Sequence, residues 1–567
     1  MMGRRALLGL AGPLALAGCR LSRGKYFGNT ALPSSRRIVF EMGSEPGTLD
    51  PGKSVLDAEI NVQPALFEGL TSVHPVTAEP IAGLATHFEA ANDYTRFTFY
   101  LRGHSAPRGV RLPNTGDLPG EFARGRPAPS DGIAATWSDG RTITAEDFVY
   151  SWRRVKDPAT ASPVASVYFA GIRDARARDE FTLDVDLAEA NPIFLKFLWM
   201  PSFAPVPRHS IDAAKVAGRE ASWIEPGRLI SSGPFILREW SPKNKIVLRK
   251  NPRYFEQSAV AVDELVFLPT VDGATRMNLY KTGDTQVTDV RAVPPVFAPL
   301  VSATRDARTS VGCRTTWFSV NTSEPPLDNV LVRYALSMAI DRAAIARALG
   351  SGRLPARGLA PPLPGYVPDG HRSVSVDGHE FDVCSFNPAA ARAMLAKARH
   401  SGRLRIPITY NEGDLAKRQL SEIVQQQWRS ILDADAAVNT QETNFYWTET
   451  CLKRAYRGVV VDSWIGVVAD PYDFLLQFGP AQFSCAAWVD KKYDAMLAAA
   501  HSTLNPAERM RKLAELETYL LRQMPLLPLY HDSWLLLQKP YVRGFPLNLL
   551  GLPNFKYAWI DANWRPS

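Results

Sequence analysis

Between Ala6 and Gly18 the chain carries an apolar run of 13 residues. That is too short for the roughly 20 residues a membrane-crossing helix needs. Arg4 and Arg5 precede it, and Leu16-Ala17-Gly18-Cys19 closes it. Small residues before a cysteine fit a lipoprotein cleavage site, in which the cysteine thiol takes lipid. Residues 1–18 therefore read as a signal peptide, Cys19 as the lipidation site, and residues 19–37, rich in Gly, Ser and Arg, as a flexible tether. No later stretch reaches the ~18 apolar residues of a spanning segment. The nearest, Gly458 to Ala469, is interrupted by Asp462 and reads as a buried strand. Everything after the tether must then fold in water and meet the lipid bilayer only through the Cys19 anchor.

A chain of 567 residues allows two to four folded units at ~100–200 residues each. Hydrophobic residues make up 46% and charged residues 22%, enough apolar surface for real cores. Period-two alternation predicts strands at Phe97-Phe99-Leu101, Leu183-Val185-Leu187 and Leu404-Ile406-Ile408-Tyr410. Thr144 followed by Asp147 predicts a capped helix running towards Arg154. Asn387-Pro388 and Asn505-Pro506 place a capping side chain before a proline at the first helical position. A single helix is predicted from Asp328 to a stop at Gly350, and another carries Leu420, Val424 and Ile431 on one face with Trp428 beside it. Residues 104–136, rich in Pro, Gly, Arg and Asp, read as a long surface insertion. Strands alternating with helices argue for an α/β (mixed α+β) protein.

The net charge of +8 comes from dispersed basic residues, with no basic stripe interleaved with aromatics. Nucleic acid is thereby excluded as a partner. Of five cysteines, Cys313, Cys384, Cys451 and Cys485 remain after Cys19. Export permits disulfides, and four cysteines allow three connectivities that sequence does not rank. No Cys-x-x-Cys pair suggests a metal, and no cofactor motif is present. There is no phosphate-binding loop, no Gly-x-Ser-x-Gly elbow, and His379-Glu380 lacks the second histidine of a zinc protease. Asp462, Asp470 and Asp473 cluster, but capping and ion pairing account for them as well as catalysis does. The chain reads as a binder, not an enzyme.

A series of short motifs then follows in fixed order. It begins with Gly43-Ser44-Glu45-Pro46-Gly47-Thr48-Leu49-Asp50-Pro51 and Leu66-Phe67-Glu68-Gly69-Leu70. Trp137-Ser138-Asp139-Gly140, Thr144 to Trp152 and Asp157 to Pro163 come next, then Ser232-Gly233-Pro234-Phe235 and Asn251-Pro252-Arg253-Tyr254. Val320-Asn321, Arg333-Tyr334-Ala335-Leu336, and Trp464 with Asp470-Pro471 complete it. In these the chain resembles the periplasmic oligopeptide-binding proteins, solute-binding protein family 5 of importers of the ATP-binding-cassette type. The resemblance implies a two-lobed periplasmic-binding-protein-like fold with an extra third domain. Residues 38–66, 200–312 and 533–567 would form lobe I, 67–199 the accessory domain and 313–532 lobe II. It implies a monomer, held at the periplasm or cell surface, that encloses a peptide between its lobes and hands it to a permease and ATPase complex.

The resemblance also places Val55, Val164, Trp317, Ser319, Asn411 and Trp447 at the ligand, together with Ser463, Trp464, Ile465, Val467 and Asp470. Several depart from the family. Val467 stands where relatives carry the aspartate that holds a peptide's α-amino group. Val461 replaces an arginine, Ser319 a glutamate, and Val164 an aromatic residue. Asp462 or Asp470 is near enough in sequence to take over the missing acid. Phe445, Tyr446, Trp447 and Trp464 suggest an aromatic pocket. Two readings compete: a transport protein for peptides or related polar solutes, and a surface lipoprotein of the same fold serving as sensor, chaperone or interaction partner.

Overall fold

The computed structural model describes residues 25–54, 57–122, 132–367, 373–376, 378–480 and 484–566. Cys19 and Val55 lie outside these residues. Two five-stranded sheets and one six-stranded sheet organise the chain, each beside its own hydrophobic core. The result is a two-lobed α/β fold with a third, smaller domain.

The first sheet orders Val287–Thr288, Arg37–Met42, Glu264–Pro269, Lys245–Lys250 and Phe235–Ser241. Arg37–Met42 runs parallel to both neighbours. Such a strand is covered on both faces, and residues 38–42 are all buried. Phe40 packs edge-on against Phe267 and Phe555, at 5.8 and 5.2 Å between ring centres. The third domain joins Val110–Arg111, Ala85–Ala90, Arg96–Leu101, Thr182–Leu187 and Ile172–Asp179. Its helix Ala145–Lys156 starts as predicted, with Asp147 accepting the Thr144 amide at 2.8 Å. The helix carries Trp152 into the core, where its indole donates to the Phe203 carbonyl at 2.9 Å. Arg154 on the same helix forms a buried, two-pronged ion pair with Asp50. The Leu49-Asp50-Pro51 motif thus serves to fasten this domain to the first lobe.

The six-stranded sheet orders Leu354–Pro355, Leu526–Leu537, Ala307–Val320, Val459–Ile465, Ile408–Asn411 and Val438–Gln441. Its two longest strands, Ala307–Val320 and Leu526–Leu537, pair antiparallel and link the lobes. Trp534 and Leu536 sit in the first core, whereas Phe318, Leu527 and Leu529 sit in the other. Their register slips between Val311 and Thr315, and again between Thr316 and Trp317. At Gly312 a Cβ would come within 2.9 Å of the Trp534 ring, so only glycine lets the two strands pass here. Irregular pairing between two solid cores makes this ribbon the natural place for bending.

Three sequence expectations need correction. The predicted helix from Asp328 to Gly350 is two helices, Val330–Met338 and Arg342–Leu349. Asp341 interrupts by capping the second, accepting the Ala344 amide at 2.9 Å. Residues 104–136 are not merely a surface insertion: Val110–Arg111 joins a sheet, and Leu118 and Phe122 pack on Ile81 and Tyr557. Leu404 and Ile406 precede their strand, which starts at Ile408. The cysteines form one disulfide, Cys451–Cys485, and leave Cys313 and Cys384 as buried thiols. Among the described residues no helix is long and apolar enough to cross a membrane.

Candidate functional site

A cavity of about 450 Å³ lies where the lobes and the third domain meet. The six-stranded sheet contributes Ser463, Trp464 and Ile465 from the end of Val459–Ile465, followed by Gly466 and Val467. Gly466 is required: a Cβ there would sit 2.7 Å from the Cys313 sulfur. The third domain contributes Val164, then Val167 and Tyr168 from the π-helical turn Ala165–Phe169, and Trp199 beyond it. The first lobe contributes Ser54, Asn61 on helix Asp57–Leu66, Arg291 and the segment Leu550-Gly551-Leu552. A solute in this cavity touches all three bodies at once.

Of the residues anticipated at the ligand, Val164, Ser463, Trp464, Ile465 and Val467 line this cavity. Trp317, Ser319, Asn411, Trp447 and Asp470 are not part of its lining. Trp317 and Ser319 are buried in a polar chain: the Trp317 indole donates to Ser319 Oγ at 2.9 Å, and that hydroxyl donates to Asp462 at 2.8 Å. Asp462 also accepts the amides of Ser463 and Cys485 at 2.8 and 2.9 Å. Burial raises its pKa against those hydrogen bonds. Asp470 is fully buried and paired in two-pronged fashion with Arg509 at 2.8 and 2.9 Å. Its other task is to cap helix Pro471–Leu475. Neither acid is among the residues that line the cavity.

The third acid, Asp473, stands directly behind the cavity wall. It accepts the Val467 amide at 2.7 Å. Burial lifts its pKa to about 7, against the hydrogen bonds from the Val467 and Val468 amides. The first-lobe acid Asp289 is bound by Arg291 through two contacts of 3.1 Å and by the Asn61 amide at 3.1 Å. Burial alone would raise Asp289, but the Arg291 guanidinium holds it below the usual range. Asp462, Asp470, Asp473 and Asp289 are therefore each already engaged by protein donors.

The aromatic wall differs in membership from the one anticipated. Trp464 is joined by Tyr168 and Trp199, whereas Phe445 and Trp447 are exposed elsewhere on the second lobe. Tyr168, Trp199, Asn61 and Arg291 carried no local motif that would have singled them out. Three of the cavity's polar atoms, Asn61 Oδ1, Ser202 Oγ and Trp464 Nε1, are buried without a hydrogen-bond partner in the protein. Such atoms are costly unless a ligand satisfies them.

The family model described as bacterial extracellular solute-binding proteins, family 5 middle, matches residues 134–484. The chain is 29% identical over 548 residues to the probable deoxycholate-binding periplasmic protein YgiS of Escherichia coli K12, covering 92% of each. It is 28% identical to the periplasmic oligopeptide-binding protein OppA of Salmonella typhimurium, covering 91% of this chain and 90% of that one. The solved structure of the Escherichia coli murein tripeptide binding protein MppA superposes with a TM-score of 0.73 at 25% identity, over 94% of this chain and 99% of that one.

Proposed function

Because the chain belongs to the bacterial extracellular solute-binding proteins of family 5, whose members bind solutes and do not transform them, we propose that it captures a peptide or peptide-like solute between its lobes and delivers it to an importer of the ATP-binding-cassette type. The protein works as a monomer in the periplasm or at the cell surface, tethered to the bilayer through a lipid on Cys19. Lobe I comprises residues 38–66, 200–312 and 533–567, the accessory domain 67–199 and lobe II 313–532. The observation that carries the reading is the cavity walled by all three bodies. A ligand touching both lobes favours their closed arrangement through the contacts it makes only there. Relatives named for oligopeptide and for deoxycholate binding mark a family whose cavities accept different solutes.

The specificity differs from that of a general peptide carrier. With Val467 in the wall and Asp462, Asp470, Asp473 and Asp289 all engaged, peptides with a free N-terminus bind weakly. N-blocked or cyclic peptides, or other solutes without an ammonium, bind better. Native mass spectrometry of the purified soluble body tests the function. A bound small molecule of discrete mass, released on denaturation, is the expected result. A body that carries no solute and takes up none from a peptide digest or a bile-acid mixture would overturn the reading.

A further inference from the structure

Ten consecutive residues, Ala292 to Val301, carry no polar side chain. Val293, Ala298 and Val301 turn inwards to a small core that also holds Met277, Tyr280 and Leu535. Val296 and Leu300, one helical turn apart beside the short helix Ala298–Val301, stay 79% and 42% exposed. Val271 is 77% exposed, and its loop reaches the same place: a Cβ on Gly273 would stand 2.5 Å from the Pro294 ring. Scattered exposed apolar residues need no explanation, but these share adjoining loops and make a patch.

The chain enters the fold beside this patch. Phe27 packs on the same small core as Phe297 and stacks on Tyr280 at 6.4 Å between ring centres. Its amide donates to the buried Asp306 carboxylate at 3.0 and 3.2 Å. The Lys25 carbonyl accepts the Arg305 amide at 3.1 Å, and the Asn29 amide donates to the Lys281 carbonyl at 2.8 Å. The chain is thus fastened from Lys25 onwards. Six peptide bonds separate Lys25 from Cys19, a span of no more than ~22 Å. A folded body of this length is ~60 Å across, from the scaling of size with chain length. A lipid on Cys19 therefore keeps the surface around Lys25 next to the bilayer and the opposite side of the body away from it.

We infer that the lobe I face formed by Val271, Val296 and Leu300 rests on the bilayer that holds the Cys19 lipid, with these side chains entering its interfacial layer. This inference rests on the anchored reading above and extends it from one lipid to a surface. The rim of the face suits a bilayer as well. Tyr26 and Trp564, half-buried with ring centres 5.9 Å apart, flank the entry of the chain, and such rings favour the boundary between water and lipid. Contact that is weak for a free protein becomes intramolecular, and so effective, once the anchor is in place. Seated in this way lobe I is held, and lobe II is the lobe left free to close.

Single fluorescent labels on the full-length, lipid-bearing protein test it, in vesicles of phosphatidylethanolamine and phosphatidylglycerol. Cys313 and Cys384 are buried and Cys451 is bonded to Cys485, so an introduced, exposed cysteine takes the label. Val296→Cys and Leu300→Cys receive an environment-sensitive dye, with Leu415→Cys, 74% exposed on lobe II, as the control. With headgroup-spin-labelled phospholipid in the vesicles, the labels at Val296 and Leu300 should shift to the blue and lose most of their emission, and the label at Leu415 should do neither. Equal quenching at all three positions, or none at Val296 and Leu300, overturns the inference. A label at Val271→Cys separates contact from mere nearness. Its quenching should fall when Val296→Ser and Leu300→Ser are added; unchanged quenching means that the tether alone holds the face there, and overturns the contact. Quenching at Val296 only when the permease is present assigns the face to the importer and overturns it too. The lipid on Cys19 is checked by mass in the same samples. Protein without that lipid refutes the anchor and this inference with it, whereas lipid-bearing protein whose Val296 label stays in water refutes the inference alone.

Discussion

Replacing Asp473 by Asn should make the protein's stability less sensitive to a rise in pH from about 4 to about 7, by an amount set by the burial of one carboxyl. Asp473 is buried behind the cavity wall, and its pKa is raised from an ordinary 3.8 to about 7 by loss of solvent, despite the hydrogen bonds it accepts. Between those two values the folded protein holds a proton that the unfolded chain has released. Unfolding stability then falls as pH rises, by ~1.4 kcal/mol per pH unit. The contribution of the protonated form is complete below pH 4 and gone above pH 7. From 3.8 to about 7 the loss amounts to ~4 kcal/mol. Asparagine keeps an oxygen to accept the Val467 amide but carries no charge at any pH. Glu41, lifted to about 8 by burial, titrates alike in both proteins and cancels from their difference. Urea unfolding of both proteins at pH 5, 6, 7 and 8 is the assay. The stability of Asp473→Asn relative to the parent should rise by ~3 kcal/mol from pH 5 to pH 8, most of it below pH 7. A difference that stays constant, or moves the other way, refutes the claim that a carboxyl raised by burial backs the cavity.

Three further outcomes are expected. Cys19→Ser should release the protein from membranes without altering the melting of the folded body; a variant that still partitions with membranes and carries a lipid mass contradicts the anchor. Arg509→Met should cost ~3–5 kcal/mol in denaturant unfolding, because it strands Asp470 as an unpaired buried charge. Trp464→Ala should weaken solute binding by ~2 kcal/mol, about thirtyfold, as loss of a central aromatic contact does; unchanged affinity by calorimetry would remove Trp464 from the site.

Much of the fold was written locally. Thr144 with Asp147, Asn387 before Pro388 and Asn505 before Pro506 each begin a helix as expected, because a cap is a contact between near neighbours. The break at Asp341 belongs to the same class and was readable, but the apolar period runs through it from Leu331 to Ile345 and hides it. Asp470 before Pro471 repeats the pattern of Asn387 before Pro388, and it too caps a helix. The candidate site was legible along one stretch, at Ser463, Trp464, Ile465 and Val467, and at Val164 just after the Asp157 to Pro163 motif. Tyr168, Trp199, Asn61 and Arg291 come from four separate stretches that only the packed fold brings together. The fate of the acids was equally hidden, since Arg509 lies 39 residues from Asp470 and Ser319 lies 143 from Asp462. Charge alone does not tell an engaged carboxylate from a free one.

Small-angle scattering tests the central claim of capture between two lobes most directly. The protein as purified with its solute is compared with the same protein stripped of it, solute content being checked by native mass spectrometry. With the solute gone, the ribbon of Ala307–Val320 and Leu526–Leu537 is free to bend at its irregular pairs, and the lobes lose the contacts that held them closed. The radius of gyration should increase on stripping and return when the solute is added back. An identical radius in both states, with the solute shown to be bound in one and absent in the other, would contradict capture by closure.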